Sequence, residues 1–530
     1  MSRPAAPATA AAIGAPEVGL PAALLCVTGG ELQARALAAR LQQHRHFALQ
    51  EVRLDSLERV DDEVLELVRG HDRVVTCRPR SERGGFGGSE QQRFELLSRA
   101  LARAPGYLDL ELASDAELRR SLYARRGPTR LVLSHHEWAA GPDGAVGPGG
   151  VRLAEIARAL SSEPADVLKV AVEAGDAAEL RPLRRALGHE TRPVVRVGMG
   201  VSGLASRLLP DRFHSAWAYV AADGAPATAP GQLTVSQALE WRLDRSRGLS
   251  PLGLVGGPQV ASSPGPTVYN RLFAERGAPF IYLPVVTALP VETLAVLEEL
   301  GFDGVSVTMP AKRALCAVLD ALVPPADRVG AVNTVLLRGG ARIGLNTDVD
   351  AVRTLLGPHR GGSALVLGTG GAARAAIVAL QGLGCAVGVS GRSAAQCGVL
   401  GEELGAEAVP WAERGRSAFD LLVQATACGA DGSGDPMPAE VDWTGRTVLD
   451  MVLSAQATPL LARAARGGAR VIGGIEMWLL QGARQMALLT GLAVEPEDLR
   501  RHLPAATGPA RAARRDLGAG ACEPGQGMRP

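Results

Sequence analysis

The sequence predicts an α/β protein with an N-terminal (β/α)8 TIM barrel, followed by a two-lobed region whose second lobe is Rossmann-like. From residue 22 onward, short β-rich runs alternate with longer amphipathic segments. Eight such runs fall within roughly 225 residues, which matches the size of a (β/α)8 barrel. After residue 363, a β run leads into a glycine-rich turn and an apolar helical pattern, as in dinucleotide-binding folds.

The barrel strands are expected where β-rich runs precede helical patterns such as Gln92–Ala104 and Gly150–Ser161. The eight expected strands are Ala22–Thr28, Ala48–Leu54, Arg73–Arg78, Tyr107–Glu111, Arg130–Ser134, Val167–Val172, Val194–Met199 and Ala216–Ala221. An open doubly wound sheet is the alternative, but this half has no glycine-rich nucleotide turn. In the second region, strands are expected at Leu252–Val255, Ile281–Pro284, Gly304–Val307 and, after the joint Gly357–Gly362, from Ala364 and over Ala386–Ser390.

These patterns divide the chain into five parts. Residues 1–20 and 505–530 are rich in small residues and proline and are expected to be disordered tails. The expected domains are a barrel over 21–246, a first lobe over 251–356 plus 475–500, and a nucleotide-binding lobe over 357–474.

Composition argues against several classes of partner. The net charge is +1 and aromatic residues make up 4%, which disfavours nucleic acid and acidic membranes. The seven cysteines occur singly, without a CxxC pair, so we expect a reducing compartment and no metal site. With no signal-peptide pattern and no apolar run long enough to span a bilayer, the prediction is a cytoplasmic protein.

Lysine is nearly absent from the chain. Of 56 Lys and Arg residues, only Lys169 and Lys312 are lysines, which leaves 54 arginines. Chance survival under an arginine-favouring codon bias would explain two lysines. However, a lysine amine can lose its proton and act as a nucleophile or base, which a guanidinium does not do.

The first lysine lies among polar strand ends of the predicted barrel. In the apolar run Val167-Leu168-Lys169-Val170 the amine would be desolvated, which favours the neutral form that attacks a ketone. Histidines end strand 5, where they could move protons, and arginines at other strand ends suit a carboxylate. These features predict imine chemistry on a small hydroxylated acid, leaving aldol, dehydration and isomerisation open.

Motifs in this half resemble type I 3-dehydroquinate dehydratase over roughly residues 22–240. They are Glu-x-Arg-x-Asp, Thr-x-Arg-x-x-x-Glu-x-Gly-Gly, Ser-x-His, Lys-Val-Ala, Ser-Arg and Ala-Pro-Gly-Gln. The resemblance implies Lys169 as the Schiff-base lysine, His136 as the general acid/base and Glu82 as its orienting partner. It also implies six substrate ligands: Glu51, Arg53, Arg78, Arg207, Thr228 and Gln232. His135 is the alternative to His136, and this half would need no cofactor.

The second site begins at the turn Gly368-Thr369-Gly370-Gly371-Ala372. Because the turn follows a strand and precedes a helix, it indicates a dinucleotide pyrophosphate at a helix N-terminus. The next strand ends in Gly391-Arg392-Ser393, where an NAD site would place an acid for the ribose hydroxyls. An arginine and a hydroxyl there favour the 2′-phosphate of NADP.

The region from Leu252 to about Leu499 resembles shikimate dehydrogenase. The motifs are Ser-Val-Thr-Met-Pro-Ala-Lys, Gly-Ala-Val-Asn-Thr and Asn-Thr-Asp. The resemblance implies Lys312 and Asp348 as the catalytic pair, although Asp348 read alone could equally cap the next helix. The substrate ligands would be Thr308, Asn333, Gln481 and a serine, Ser262 or Ser263; the cofactor residues would be Gly368, Gly370, Gly371, Ala372, Arg392, Ser393, Thr426, Gly474 and Met477.

This half departs from the family pattern in four places. The serine loop is altered, apparently one residue longer, and Leu453 stands where the family has a tyrosine that reaches the substrate carboxylate. Val349 and Asp350 replace the more usual glycines, and Gln424 replaces an asparagine beside the cofactor. Losing hydroxyls from a carboxylate site would cost about 1–3 kcal/mol each, so activity could be weakened or the substrate changed.

The two resemblances describe consecutive reactions. They imply a bifunctional shikimate-pathway enzyme of aromatic amino acid biosynthesis: a lyase dehydrates 3-dehydroquinate, and an NADP-dependent oxidoreductase with a Rossmann-like domain reduces 3-dehydroshikimate to shikimate. The expected partners are therefore small molecules. The alternative is an active dehydratase fused to a dehydrogenase-like module that is degraded, regulatory, or specific for another polyol acid such as quinate.

Overall fold

The computed structural model describes residues 25–138, 150–357 and 361–504 of the chain. The predicted tails, 1–20 and 505–530, and the start of the first predicted strand lie outside these ranges. The boundary between two compact units falls at Leu249–Ser250, except that Asp176–Ala178 groups with the second unit. Each unit is described by itself below.

The first unit contains one eight-stranded sheet in which every pairing is parallel. Its strands are β1 Leu25–Thr28, β2 Leu49–Arg53, β3 Gly70–Thr76, β4 Pro105–Glu111, β5 Arg130–Glu137, β6 Val167–Glu173, β7 Val194–Met199 and β8 Ala218–Ala221. The strand order is β7-β6-β5-β4-β3-β2-β1-β8. This sequential order, with β8 beside β1, confirms the predicted barrel and rules out the doubly wound alternative, whose strand order reverses.

The barrel is nearly closed between β7 and β8. Ala216, just before β8, donates its backbone N–H to the carbonyl of Val194 at 2.8 Å. The amide of Arg196 donates to the Ser215 hydroxyl at 3.0 Å, and the Arg196 guanidinium donates to the carbonyls of Phe213 and His214. These bonds join the two ends of the sheet without a regular strand ladder.

One α-helix follows each of the eight barrel strands, as the amphipathic segments predict. They are α1 Ala34–Gln43, α2 Asp62–Leu67, α3 Glu90–Leu101, α4 Ala116–Arg125, α5 Gly150–Ser162, α6 Leu180–Arg185, α7 Leu204–Leu208 and α8 Val235–Glu240. Two of these helices begin with a reciprocal capping box, formed by Ser89 and Gln92 in α3 and by Thr234 and Gln237 in α8. Apolar side chains of α1–α4 pack on the outward faces of β2–β5.

Strand register separates an apolar floor from a polar mouth inside the barrel. Val74, Val132, Val167 and Val195 belong to one buried cluster together with Trp217. Side chains two residues further along a strand point to the same face. Interior positions nearer the carboxyl ends of the strands include the polar residues Thr76, Ser134 and Lys169, and the predicted site residues of these strands lie at this end.

The second unit contains two six-stranded sheets. The first is mixed, with order β10-β9-β11-β13-β14-β12, and its strands are β9 Ser250–Gly256, β10 Phe280–Val286, β11 Gly304–Val307, β12 Ala321–Leu322, β13 Thr334–Arg338 and β14 Ala341–Leu345. Its helices are α9 Gly265–Glu275, α10 Pro290–Glu299, α11 Ala311–Ala314, α12 Ala326–Val329 and α13 Asp348–Leu356. The pairs β11–β13 and β13–β14 are antiparallel.

The second sheet of this unit is parallel, with order β17-β16-β15-β18-β19-β20. Its strands are β15 Ser363–Leu367, β16 Ala386–Ser390, β17 Glu407–Ala408, β18 Leu421–Gln424, β19 Thr447–Asp450 and β20 Arg470–Ile472, and its helices are α14 Gly371–Gly382, α15 Ala394–Leu404 and α16 Pro459–Arg466. The last two helices, α17 Gly474–Thr490 and α18 Pro496–Arg500, place Leu479, Met486 and Leu499 in the core beside the first sheet. The order reverses beside β15, which is the switch point where a Rossmann-type sheet binds its ligand. None of the helices in the described ranges is long and apolar enough to cross a membrane.

Candidate active sites

Lys169 lies inside the barrel with a carboxylate as its direct partner. Its Nζ is 2.8 Å from Oδ2 of Asp109 and 4.7 Å from the centre of the Tyr219 ring, and both members of the ion pair are buried. Asp109 on β4 reaches across to β6, a pairing that the sequence analysis did not predict. This pair compensates the buried charge of Lys169 until a substrate enters.

His136 lies between Glu82 and Arg78. Its Nδ1 is 2.9 Å from Oε2 of Glu82, and its Nε2 is 2.8 Å from Nη2 of Arg78. A guanidinium can only donate, so Nε2 accepts and the neutral ring donates from Nδ1 to Glu82. Burial, followed by the charges of Arg78 and Lys169, holds the pKa of His136 well below its usual range.

The neighbouring histidine points elsewhere. His135 is half-buried, and its Nε2 lies 2.9 Å from Oε2 of Glu137. Register pairs Ser134 with Lys169 and His136 with Ala171, so His136 shares the interior face with the lysine. Of the two candidates, the structure brings only His136 into the barrel interior with Glu82 and Arg78.

Two glycines hold the loop that carries Glu82. A Cβ on Gly84 would lie 2.1 Å from the carbonyl oxygen of Arg78, and one on Gly85 would lie 2.2 Å from that of Asp55. These close approaches explain the Glu-x-Gly-Gly pattern. Burial, and then the charge of Glu111, raises the pKa of Glu82 to about 8.

Further charged residues face the same space. Oε2 of Glu51 accepts from the Thr28 hydroxyl at 2.5 Å, and the Arg53 guanidinium binds Asp55 through Nε and Nη2 at 2.9 and 2.5 Å. Thr228 and Gln232 bond to each other, through the hydroxyl of Thr228 and Oε1 of Gln232 at 3.1 Å. All the predicted ligands from β2 and from the loop before α8 are thus held in place by partners within the unit.

Behind the mouth, Arg93 of α3 is buried and binds Oε2 of Glu111 at 2.6 Å. Burial and the charge of Asp109 nevertheless raise the pKa of Glu111 to about 7. The barrel thus concentrates several buried carboxyl groups beside arginines and a lysine.

Arg207 is a buried cation whose guanidinium bonds a backbone carbonyl rather than a carboxylate. Its Nε donates to the carbonyl of Gly198 at 2.9 Å, while Nη2 has no partner. Desolvation lowers the pKa of Arg207 to about 10. A buried guanidinium with an unused N–H suits an incoming carboxylate.

Unpaired polar atoms are common around this interior. Among the described side chains, the buried atoms without a partner include Thr76 Oγ1, Arg78 Nε, Glu82 Oε1, Asp109 Oδ1, Glu111 Oε1, Arg207 Nη2 and Tyr219 OH. Buried polar atoms are normally satisfied, so a cluster of orphans on the barrel strands and mouth loops indicates a polar ligand.

In the second unit, Lys312 and Asp348 form an ion pair. Nζ of Lys312 is 2.5 Å from Oδ2 of Asp348, whose Oδ1 accepts from Nδ2 of Asn333 at 2.9 Å. The same Nδ2 lies 3.4 Å from Oε1 of Gln481. Although Asp348 begins α13, its carboxylate faces Lys312 and Asn333, so the helix-cap interpretation is wrong.

The predicted serine ligands of the substrate bond to their own loop rather than to Lys312 or Asp348. Ser262 is exposed and donates to the carbonyl of Gln259 at 3.1 Å, while the Ser263 hydroxyl accepts from the amide of Gly265 at 3.2 Å. Thr308 is half-buried beside Gly256. Leu453 is 40% exposed.

The glycine-rich turn joins β15 to α14. Gly368 has φ of 113°, a conformation that only glycine adopts readily, and a Cβ on it would lie 3.2 Å from Cγ2 of Thr426. Arg392 is exposed after β16, and Ser393 caps α15 by accepting from the amide of Gln396 at 3.3 Å. Turn, helix N-terminus and arginine thus lie at the carboxyl end of the sheet.

Two predicted cofactor residues lie at the start of α17. A Cβ on Gly474 would lie 2.1 Å from the carbonyl oxygen of Val452, so this glycine allows α17 to pack on the chain after β19. Met477 is buried in the apolar core of the Rossmann-type lobe. Within the described residues, no cluster of three or more His, Cys, Asp or Glu could hold a metal ion.

Comparison with known proteins assigns families to the two segments. A type I 3-dehydroquinase model matches residues 24–246, and a shikimate dehydrogenase substrate binding domain model matches residues 255–335. The shikimate dehydrogenase (NADP(+)) of Synechococcus sp. is 38% identical over 266 residues, covering 47% of this chain and 91% of that protein. The chain belongs to the type I 3-dehydroquinase and shikimate dehydrogenase families.

One relative spans both families. The bifunctional 3-dehydroquinate dehydratase/shikimate dehydrogenase, chloroplastic, of Arabidopsis thaliana is 26% identical over 453 residues, covering 80% of this chain and 74% of that protein. Among solved structures, the shikimate 5-dehydrogenase of Thermus thermophilus with NADP(H) and shikimate is 35% identical, covering 48% of this chain and 98% of that chain at a TM-score of 0.44.

Sequence reasoning missed one residue in each segment. In the 3-dehydroquinase segment it placed Asp109 at a strand end but did not pair it with Lys169. In the shikimate dehydrogenase segment it missed Thr347, whose hydroxyl accepts from Asn333 at 2.8 Å and donates to the carbonyl of Gln481 at 3.1 Å. Neither partner is adjacent in sequence, so no local motif signals these bonds.

The shikimate dehydrogenase segment offers a place for a dinucleotide. A Cβ on Gly370 would meet nothing within 4 Å, so the turn leaves open space in front of the N-terminus of α14. A helix N-terminus stabilises phosphate, and the exposed Arg392 adds a positive charge at the neighbouring strand end. The residues present therefore fit a phosphorylated dinucleotide.

Proposed function

We propose that this chain is a bifunctional enzyme of the shikimate pathway. The first unit dehydrates 3-dehydroquinate to 3-dehydroshikimate, and the second reduces 3-dehydroshikimate to shikimate with NADPH. The observation that carries the proposal is the pair of separate lysine–carboxylate centres, Lys169 with Asp109 and Lys312 with Asp348. Lys169 and Asp109 lie in the segment that matches the type I 3-dehydroquinase model, and Lys312 lies in the segment that matches the shikimate dehydrogenase substrate binding domain model. The relatives that match the second half are NADP(+)-dependent shikimate dehydrogenases, so the comparisons give the alternative of a degraded second module no support.

In the dehydratase reaction, Lys169 is the nucleophile. Its amine nitrogen bonds to the carbonyl carbon of the substrate, and the carbonyl oxygen leaves as water. The resulting iminium acidifies the adjacent C–H, whose proton passes to Nε2 of His136. The hydroxyl on the next carbon then leaves with that proton as water, and hydrolysis of the iminium restores Lys169, so one water is lost overall.

During the dehydratase reaction, Nε2 of His136 has to exchange Arg78 for the substrate. Its Nε2 is occupied by Arg78, so the substrate must displace that N–H before the ring can accept a proton. Glu82 keeps the ring oriented through Nδ1. Arg207 offers its unused N–H to the substrate carboxylate, while the substrate hydroxyls contact Glu51, Arg53, Arg78, Thr228 and Gln232.

In the dehydrogenase reaction, Lys312 and Asp348 manage the proton. When bound, NADPH supplies a hydride to the carbonyl carbon of 3-dehydroshikimate. Lys312 donates a proton from Nζ to the developing alkoxide, and Asp348 holds that ammonium in place and receives support from Asn333. Ser262, Ser263, Thr308, Asn333 and Gln481 bind the substrate.

The cofactor is held by the Rossmann-type lobe. The backbone of Gly368, Gly370 and Ala372 would hold its pyrophosphate, with Gly370 leaving the necessary room. Arg392 and Ser393 would bind the 2′-phosphate of NADP. Thr426, Gly474 and Met477 would line the approach to the nicotinamide.

The domain bounds proposed from the sequence are 21–246 for the dehydratase barrel, 251–356 plus 475–500 for the substrate lobe and 357–474 for the NADP lobe. The partners are small-molecule acids rather than nucleic acid or membrane, which the net charge of +1 supports. The six cysteines that the described residues contain are all free thiols, which supports a reducing, cytoplasmic setting.

Reduction with borohydride tests the first reaction directly. Adding borohydride to the full chain with 3-dehydroshikimate should reduce the iminium and leave a stable adduct on the peptide that contains Lys169, detected by mass spectrometry. The Lys169→Met variant, treated identically, should carry none. An unlabelled Lys169 in an active preparation would refute the Schiff-base mechanism.

A further inference from the structure

Each glycine of the cofactor turn lacks a side chain for a different structural reason. Gly368 has a positive φ of 113° that disfavours any side chain. Gly370 has φ −80° and ψ −178°, an extended conformation open to all residues, and space in front of it. Gly371 is the first residue of α14, is buried, and needs no left-handed conformation.

What surrounds Gly371 is the stem of the catalytic lysine. A Cβ on Gly371 would lie 3.0 Å from both Cβ and Cδ of Lys312 and 3.3 Å from Cβ of Ala331. These distances are below ordinary van der Waals separation for carbon atoms. The lysine stem therefore crosses directly over the backbone of this glycine.

Lys312 has little freedom to move away. Its backbone carbonyl accepts from the amide of Val332 at 2.8 Å, and its Nζ is held by Asp348 at 2.5 Å. Any atom inserted beneath the stem would have to displace either the backbone of α11 or the ammonium group.

We propose that Gly371 is a positioning residue for Lys312, and that its missing side chain serves the lysine rather than the dinucleotide. The room for the pyrophosphate is provided by Gly370, one residue earlier. This inference rests on the proposed role of Lys312 in carbonyl reduction. It reassigns Gly371, which the glycine-rich motif alone places among the cofactor ligands.

The test compares two glycine-to-alanine substitutions in the full chain, with a third as control. Gly371→Ala should lower kcat for 3-dehydroshikimate reduction roughly 3- to 10-fold, because the lysine stem must give way by only part of the ~1 Å displacement that costs about two orders of magnitude. Its Kd for NADPH, measured by nucleotide fluorescence, should stay within about threefold of the unchanged chain. Gly370→Ala should do the opposite, weakening NADPH binding more than kcat at saturation. Gly398→Ala, on α15 with nothing within 4 Å, should change neither.

A double variant distinguishes action through Lys312 from a general loss of packing. In the Lys312→Gly background, which removes Cβ, Cδ and the ammonium, Gly371→Ala should produce no further loss of the residual rate. Should Gly371→Ala alone be too unstable to purify, recovery of the fold and of NADPH binding in the double variant would identify the same contact, and continued instability would overturn the proposal.

Two other outcomes also overturn it: a weakened NADPH Kd with unchanged kcat in Gly371→Ala, or a rate loss that persists undiminished in the Lys312→Gly background. Failure of the proposed function gives a different result, because Lys312→Gly itself would then retain the full kcat.

Discussion

Arg78 donates to Nε2 of His136 at 2.8 Å, and this bond leaves Nδ1 of the same ring to bind Glu82. The proton-accepting nitrogen of the proposed dehydratase base is thus protected by a cation until a substrate displaces it. Arg78 is also the second-largest cause, after burial, of the low pKa of His136.

Replacing Arg78 should therefore change the pH dependence of dehydration. In Arg78→Met the pKa of His136 rises toward 6.5 because a nearby positive charge is removed. As the solution is acidified, His136 therefore takes up its proton at a higher pH than in the unchanged chain, and its neutral, proton-accepting form is lost earlier. We expect the acid limb of the kcat/KM profile for 3-dehydroquinate to shift to higher pH, whereas Arg80→Met, at an exposed neighbour, leaves it in place. An acid limb that stays put or shifts to lower pH contradicts this role of Arg78.

Glu82 should make the folded state less stable at alkaline pH. Its pKa is raised from 4.5 to about 8, so the folded chain keeps a proton that the unfolded chain loses in this range. Stability contributed by this group is therefore present below pH 4.5 and is lost as the pH rises toward 8. Relative to the unchanged chain, Glu82→Gln should gain stability between pH 5 and 8.5 while losing dehydratase activity.

Urea denaturation at both pH values checks this prediction. Glu95→Gln, on an exposed turn of α3, is the matched control and should show no such pH-dependent gain. If Glu82→Gln changes the free energy of unfolding by the same amount at pH 5 and at pH 8.5, Glu82 does not retain its proton in the folded chain.

Asp109 should be essential for stability as well as for catalysis. Asp109→Ala leaves the buried Lys169 ammonium without its partner, which we expect to cost about 3–5 kcal/mol in the free energy of unfolding of the barrel. The double variant Lys169→Met with Asp109→Leu removes both charges and should recover most of this loss. If the double variant is less stable than Asp109→Ala, the pair is not the cause.

The contrast between Asp109 and Lys169 shows where sequence reasoning ends. Lys169 stands out because lysine is rare in this chain and sits in an apolar run. Asp109 reads as one of several charged strand ends, and only the register of β4, β5 and β6 brings it to the lysine. The strands were predictable because β-rich runs alternate with amphipathic segments. Which side chains meet across 60 residues of chain depends on how the strands pair in the barrel, and no local pattern shows it.

The glycine-rich turn shows the same limit. Its order of strand, turn and helix is visible in the sequence and places the dinucleotide. Which glycine makes room for which neighbour is not visible, because Lys312 is 59 residues away from Gly371 in the chain (371 minus 312). Leu453, which stands where the family has a tyrosine that reaches the substrate carboxylate, is exposed. It does not replace the hydroxyl contacts that the altered serine loop lacks.

The carboxylate of Asp348 should be needed for reduction but not for dehydration. Asp348→Asn removes the charge that holds the Lys312 ammonium, and we expect kcat for 3-dehydroshikimate to fall about 10²- to 10³-fold. The dehydratase rate of the same preparation is the internal control. Equal losses in both reactions would indicate misfolding, and an unchanged kcat would remove Asp348 from the mechanism.

A single coupled assay tests the bifunctional assignment most directly. The full chain, supplied with 3-dehydroquinate and NADPH, should oxidise one NADPH for each 3-dehydroquinate consumed and accumulate shikimate. Lys169→Met should abolish this oxidation, and adding 3-dehydroshikimate should restore it at the unchanged rate. Accumulation of 3-dehydroshikimate with no NADPH oxidised by the unchanged chain, or NADPH oxidation from 3-dehydroquinate by Lys169→Met, would contradict the account.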